Sequence, residues 1–126
     1  FFKPVIFEHR ALVDGGLSNP VPVDLVKEMG AEVIIAVNLD FFSGYDNINP
    51  SEVGYGNLAD GTIKIIRHHL AQYSSQGADF LIQPDLMNCS SWANYLINDE
   101  FEEGVRLAEE ATEKIIPELK EKIFGI

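Results

Sequence analysis

Few residues in this chain combine a type and a spacing that could do chemistry, and Asp14-Gly15-Gly16 is the sharpest group. It stops the short apolar run Ala11-Leu12-Val13, so the aspartate stands where a strand ends. In α/β sheets, ligands bind outside the carboxyl ends of the strands, and a carboxylate there projects into that crevice. Two following glycines permit positive φ and leave no Cβ in the way of another backbone. A carboxylate presented from such a turn could accept or orient the proton of a nucleophilic hydroxyl. The same three letters also make a plain strand-ending turn, since Asp-Gly is common in turns of every kind.

Other reactive side chains offer less. His9 precedes a strand end rather than following one, and His68 and His69 are adjacent on a helix, so their rings point in different directions. Packing or surface roles suit all three. No H-x-x-x-H spacing and no second cysteine beside Cys89 supports a zinc site, and nothing in the sequence calls for a cofactor. Cys89 lies in a polar stretch without a paired histidine. Ser18, four residues after Asp14, is a weak alternative nucleophile. Phe41, Phe42, Tyr45 and Tyr55 lie in a loop where they could line an acyl channel, or simply cover a sheet edge. Phe1 and Phe2 are further apolar candidates for such a channel.

The elements that must position these residues follow from periodicity. Val5-Ile6-Phe7 and Ala11-Leu12-Val13 read as short strands. Pro20 and Pro22 force an extended loop, and Pro22 suits the first turn of a helix over 23–29. Leu25, Val26 and Met29 share a face of that helix, and Gly30 has the capping role at its end. Glu32 to Asp40 is the clearest strand. Its Val33-Ile34-Ile35-Ala36-Val37 core is continuously apolar, which predicts a parallel strand with both faces covered. Strand, short helix and buried strand together predict a βαβ unit. Residues 41–55 read as a loop, 58–76 as a helix and 78–83 as a strand closed by Pro84, with 85–97 irregular. The last helix spans Asp99 to Phe124, with Phe101, Val105, Ala108, Ile115, Leu119 and Ile123 on one face. Pro117 must kink it or start a new helix. Glu102, Glu103, Glu109, Glu110, Glu113, Glu118 and Glu121 occupy the other faces, as a solvated surface does. The predicted fold class is therefore α/β, with one mostly parallel sheet flanked by helices.

On these residues the chain resembles the patatin-like phospholipases, a family that includes bacterial patatin-like esterases and the catalytic domain of neuropathy target esterase. The block Asp14-Gly-Gly-Leu-Ser-Asn-Pro-Val21 carries most of the resemblance. Phe2-x-Pro4-Val5, Ala78-Asp-Phe-Leu-Ile-x-Pro84 and the acidic helix after Gly104 are similar to segments before and after the family's aspartate. The resemblance covers nearly the whole chain. It implies a patatin-like fold related to the α/β-hydrolases and a serine lipid acyl hydrolase with a Ser–Asp dyad and no histidine. It also implies that Asp14 is the catalytic aspartate, supported by Gly15 and Gly16. The family's nucleophile lies in G-x-S-x-G on a sharp strand-to-helix turn. That string is absent here; the nearest, Gly16-Leu17-Ser18-Asn19-Pro20, lacks the last glycine. No glycine-rich oxyanion segment is present either.

Residues 1–126 are therefore expected to be the C-terminal portion of one patatin-like catalytic domain, an incomplete half whose N-terminal partner would carry the serine. The Met-less, apolar start Phe1-Phe2-Lys3-Pro4 fits that expectation. Alone, the chain should be inactive on acyl-ester or phospholipid substrates. Two other readings stay open: a patatin-like binding or regulatory module without a nucleophile, and a generic α/β module for a small metabolite. A sheet edge left without its neighbours would invite pairing with a second copy.

Composition bounds these choices. Twenty acids against 9 bases give a net charge of −11, which argues against nucleic acid because phosphate binding needs basic stripes. Hydrophobic residues at 46% and charged residues at 23% are an ordinary globular balance. One cysteine excludes an internal disulfide framework. No apolar run approaches the roughly 18 residues of a membrane span. A cytoplasmic location, with membrane-peripheral association as the second option, is the expectation.

Overall fold

A computed structural model describes residues 3–41, 55–86, 89 and 98–126. The described elements are β1 (Val5–Phe7), β2 (Arg10–Leu12), a 3₁₀ turn (Gly15–Leu17), α1 (Val23–Glu28), β3 (Ile35–Val37), α2 (Tyr55–Ser74), β4 (Phe80–Ile82), α3 (Asn98–Glu113) and α4 (Ile116–Phe124). The chain is mixed α/β, but the described strands form two sheets, not the single sheet expected.

β1 and β2 pair antiparallel, with Val5 opposite Leu12 and Phe7 opposite Arg10. The hairpin turns on Glu8 (φ 46°) and His9 (φ 62°), both left-handed. A two-residue turn needs that conformation to match strand twist, and Asn-Gly usually supplies it. Here a glutamate and a histidine take it, which explains why no turn signal stood out. β3 and β4 pair parallel, with Ile35 opposite Phe80 and Val37 opposite Ile82. A parallel pair needs a long crossover. The 20-residue α2 provides it, so the βαβ unit is β3–α2–β4, not the expected unit through α1. The six-residue α1 instead links the hairpin to β3.

Side-chain bonds set the ends of the parallel pair. Asp79 Oδ2 accepts the Ile34 N–H at 2.9 Å, and the Asp79 and Phe80 amides both donate to the Ile34 carbonyl. At the other end the Asn38 N–H donates to Ile82 O at 2.9 Å. The helices stop where the chain must reverse: Gly30 (φ 92°) follows α1 and Gly77 (φ 89°) precedes β4, conformations only glycine takes cheaply. Pro117 opens α4 rather than kinking one long helix.

The core lies between β3 and the helices on one of its faces. Val21, Val23, Ile34, Ala36 and Ala71 are buried together, with Ala31, Ala78 and Leu81 packed around them. Each fully buried Val or Ile contributes roughly 1.5–3 kcal/mol. The other face of β3 is open: Ile35, Val37 and Leu39 are exposed, so the expected cover on both faces is absent among the described residues. Over β4 that same face is closed, where Phe80 is buried and Lys122 Nζ of α4 lies 5.6 Å from its ring centroid. Lys122 also pairs with Asp79. The expected helix faces are only partly used. Leu25, Val26 and Met29 of α1 are exposed, as are Phe101 and Val105 of α3 and Ile123 of α4. The glutamates named above are exposed. Arg106 ties Glu103 to Glu110 along α3, its Nε lying 2.7 Å from Glu103.

Candidate functional site

Asp14 leaves β2 after Val13 and caps the 3₁₀ turn, at the end of the hairpin rather than of the parallel pair. Its Oδ1 accepts the Gly16 N–H at 2.8 Å. Below it, Leu17 N donates to Asp14 O, and Ser18 and Asn19 N donate to Gly15 O, at 2.8–3.1 Å. The turn is thus closed on itself and presents an exposed carboxylate. Among the described residues Gly16 N–H is the one donor to that carboxylate, and it takes Oδ1.

The two glycines serve a different end from the expected one. Neither adopts positive φ. A Cβ on Gly15 would meet nothing within 4 Å. A Cβ on Gly16 would sit 3.2 Å from Asp14 Oδ1 and 3.5 Å from Arg67 Nη2. It is therefore a side chain, not another backbone, that comes close to this turn.

The rest of the block fastens the turn to the fold. Asn19 Nδ2 donates to Asp24 Oδ1 at 2.9 Å, bracing the loop against the first turn of α1. That bond, with the Leu25 N–H, holds the Asp24 carboxyl below its ordinary range. Val21 enters the core, and its N–H donates to Ser74 Oγ of α2 at 3.3 Å. Asp, Gly16, Asn and Val of the D-G-G-x-x-N-P-V block each have a structural task.

No family model matches the chain. Its site is defined by its own geometry.

That geometry adds residues the sequence left unremarked. Arg67 of α2 donates from Nη2 to Asp40 Oδ2 at 2.9 Å. The next residue, His68, carries its proton on Nδ1, which donates to the Asp40 carbonyl at 2.9 Å. The Asp40 N–H donates to Asn38 Oδ1 at 3.0 Å. Asn38 is fully buried, and its Nδ2 has no acceptor. These bonds gather Asn38, Asp40, Arg67 and His68 at the carboxyl end of β3. Arg67 was missed, although it is the sole arginine among the apolar residues of the 58–76 helix.

The remaining candidates separate from Asp14. His9 is exposed at the hairpin tip, and His69 stacks edge-on against His68 at 5.5 Å. Neither reaches the aspartate. Phe41 is half-buried, its ring 5.9 Å from that of His68. Phe1, Phe2, Phe42 and Tyr45 lie outside the described residues, and Tyr55 belongs to the first turn of α2. Burial pushes the Cys89 thiol up, and Glu103 and Glu100 push it the same way, so it stays protonated and a poor nucleophile. Ser18 makes no bond to Asp14. It lines an open cavity of about 390 Å³ with Asn19, Asp24, Leu70, Tyr73 and Ser74. Among the described residues no three His, Cys, Asp or Glu side chains gather as a metal would require. No described helix is long and apolar enough to cross a membrane.

Proposed function

We propose that this chain is the aspartate-bearing part of a patatin-like serine acyl hydrolase acting on phospholipid or other acyl esters. The observation that carries the reading is the Asp14 turn: an exposed carboxylate with one oxygen anchored on Gly16 N–H and the other without a donor among the described residues. In the complete enzyme Oδ2 would take or orient the proton of a serine hydroxyl as it attacks the acyl carbonyl. Backbone donors from the same upstream half would stabilise the oxyanion. The open face and edge of β3 support a larger sheet, because two parallel strands alone leave apolar surface and ladder groups unmet.

The test is expression of the full reading frame that encodes this chain. A G-x-S-x-G upstream, p-nitrophenyl ester turnover by the whole protein, and a loss of about 10³-fold or more in kcat on Asp14→Ala are expected. The 126-residue chain alone should show no turnover. A reading frame without that serine motif sinks the proposal.

The cavity beside Ser18, which leaves Asp14 outside its lining, favours a second reading: a binding module without chemistry. Saturable binding of an acyl ester with no turnover in the full protein would select it.

A further inference from the structure

The Asp14 turn does not stand alone on the surface; a guanidinium stands beside it. Asp14 Oδ1 and Arg67 Nη2 lie 3.2 and 3.5 Å from one point, the place a Gly16 Cβ would occupy, and Arg67 Cζ is 3.6 Å from it. The guanidinium thus stands on the open side of Gly16, within van der Waals reach of where a Cβ would be. Asp40 fixes where that plate lies. Its carboxylate takes Nη2, its carbonyl takes His68, and its N–H is held by the buried Asn38. Asn38 is in turn bonded through its N–H to β4. A continuous chain of contacts therefore runs from the parallel strands through Asp40 and Arg67 to Gly16, whose N–H holds Asp14.

An ordinary surface ion pair contributes about 0–1 kcal/mol and fixes little. This pair differs in two respects. Both side chains are half-buried, 34% and 25% exposed. Among the described residues Arg67 also keeps a buried Nε without an acceptor, an unfavourable arrangement. The guanidinium is held in place at the expense of its own hydrogen bonding.

We propose that Arg67, clamped by Asp40, is the residue that positions the Asp14 carboxylate, an inference that rests on the hydrolase reading of Asp14. Arg67 makes no bond to Asp14 and acts through Gly16, so it is a positioning residue rather than a catalytic one. Lysine is no equivalent, because a compact ammonium reproduces neither the shape nor the donor geometry of a guanidinium.

Two measurements on the full protein test this. The first needs no activity: hydrogen exchange of the Gly16 amide. Arg67→Gln and Asp40→Asn should each speed it about tenfold, and the double variant should be no faster than either single one. Asp40→Asn is nearly isosteric, removing the charge and one acceptor oxygen, so it serves if Arg67→Gln fails to fold. The second is kinetic. Arg67→Gln and Arg67→Lys should lower kcat by about 10–100-fold with KM changed less than about twofold, as a misplaced group does. A purely structural pair would change global unfolding and leave this split untouched. Gly16 exchange within twofold of wild type in both single variants overturns the proposal. An unchanged kcat does so as well. If the full protein has no esterase activity, the hydrolase reading fails, and Gly16 exchange still decides whether Arg67 seats the turn.

Discussion

Val5-Ile6-Phe7 in β1 and Ile35-Ala36-Val37 in β3 match in length and apolar character. Every residue of β1 is exposed, Ile6 at 72%, whereas Ala36 and its neighbour Ile34 are 5% and 7% exposed. Apolarity sets the demand for burial; connection supplies the cover. β1 meets its partner through a two-residue turn, which brings a strand and nothing to lie over it. β3 meets its partner through 20 residues of helix, which must cross the sheet and bury one face on the way. Even so, only one face of β3 is covered. The hairpin and the outer face of β3 are the same unmet demand in two places.

The largest test of this contrast compares one truncation in each region. Ile34→Ala should cost about 2–4 kcal/mol by urea unfolding, since it empties the core, while Ile6→Ala should stay within about 0.5 kcal/mol. Equal effects would mean the hairpin is covered in solution by something that buries it. A smaller effect is expected in the turn between the two regions. Gly16→Ala should destabilise by about 1–2 kcal/mol because its Cβ meets Asp14 and Arg67, with Gly15→Ala within about 0.5 kcal/mol. Comparable costs at both glycines would remove the close approach from the account.

The smallest effect separates the sheets by pH. The Lys122 ammonium and the Ile34 N–H hold the Asp79 carboxyl below its ordinary range. A depressed folded-state value stabilises above the ordinary aspartate range, and that stability is lost as pH falls through the depressed value. Exchange protection of the β3–β4 amides should therefore weaken on acidification and weaken less in Asp79→Asn. The β1–β2 amides, which have no such clip, should not respond to that substitution.

Much of the fold was legible because it is local. The apolar run at Val33–Val37, the helical spacing of 58–76 and the proline at 117 each dictate structure within a few residues. Pairing was not legible. Glu8-His9 lacks the Asn-Gly or Asp-Gly signature of a hairpin, and glutamate seldom takes the left-handed conformation both residues adopt. Alternation of strands and helices predicts one sheet; the described strands instead pair with their sequence neighbours, β1 with β2 through a two-residue turn and β3 with β4 through α2. At the site, Asp14 stood out because its bonds run to Gly16, two residues on. Arg67 and Asp40 are 27 residues apart, and no spacing rule connects them.

The glutamate-covered surface of α3 and α4 bears on how copies of this chain meet. Facing acidic surfaces repel over a Debye length, about 30 Å at 0.01 M ionic strength and about 3 Å at 1 M. In dilute buffer the glutamates keep neighbours apart before any open strand edge can be reached. In concentrated salt that guard collapses to contact range, while the attraction between bare apolar faces strengthens with an excluded salt such as sulfate. Colloidal stability of the chain is thus electrostatic in origin, and salt is the variable that withdraws it.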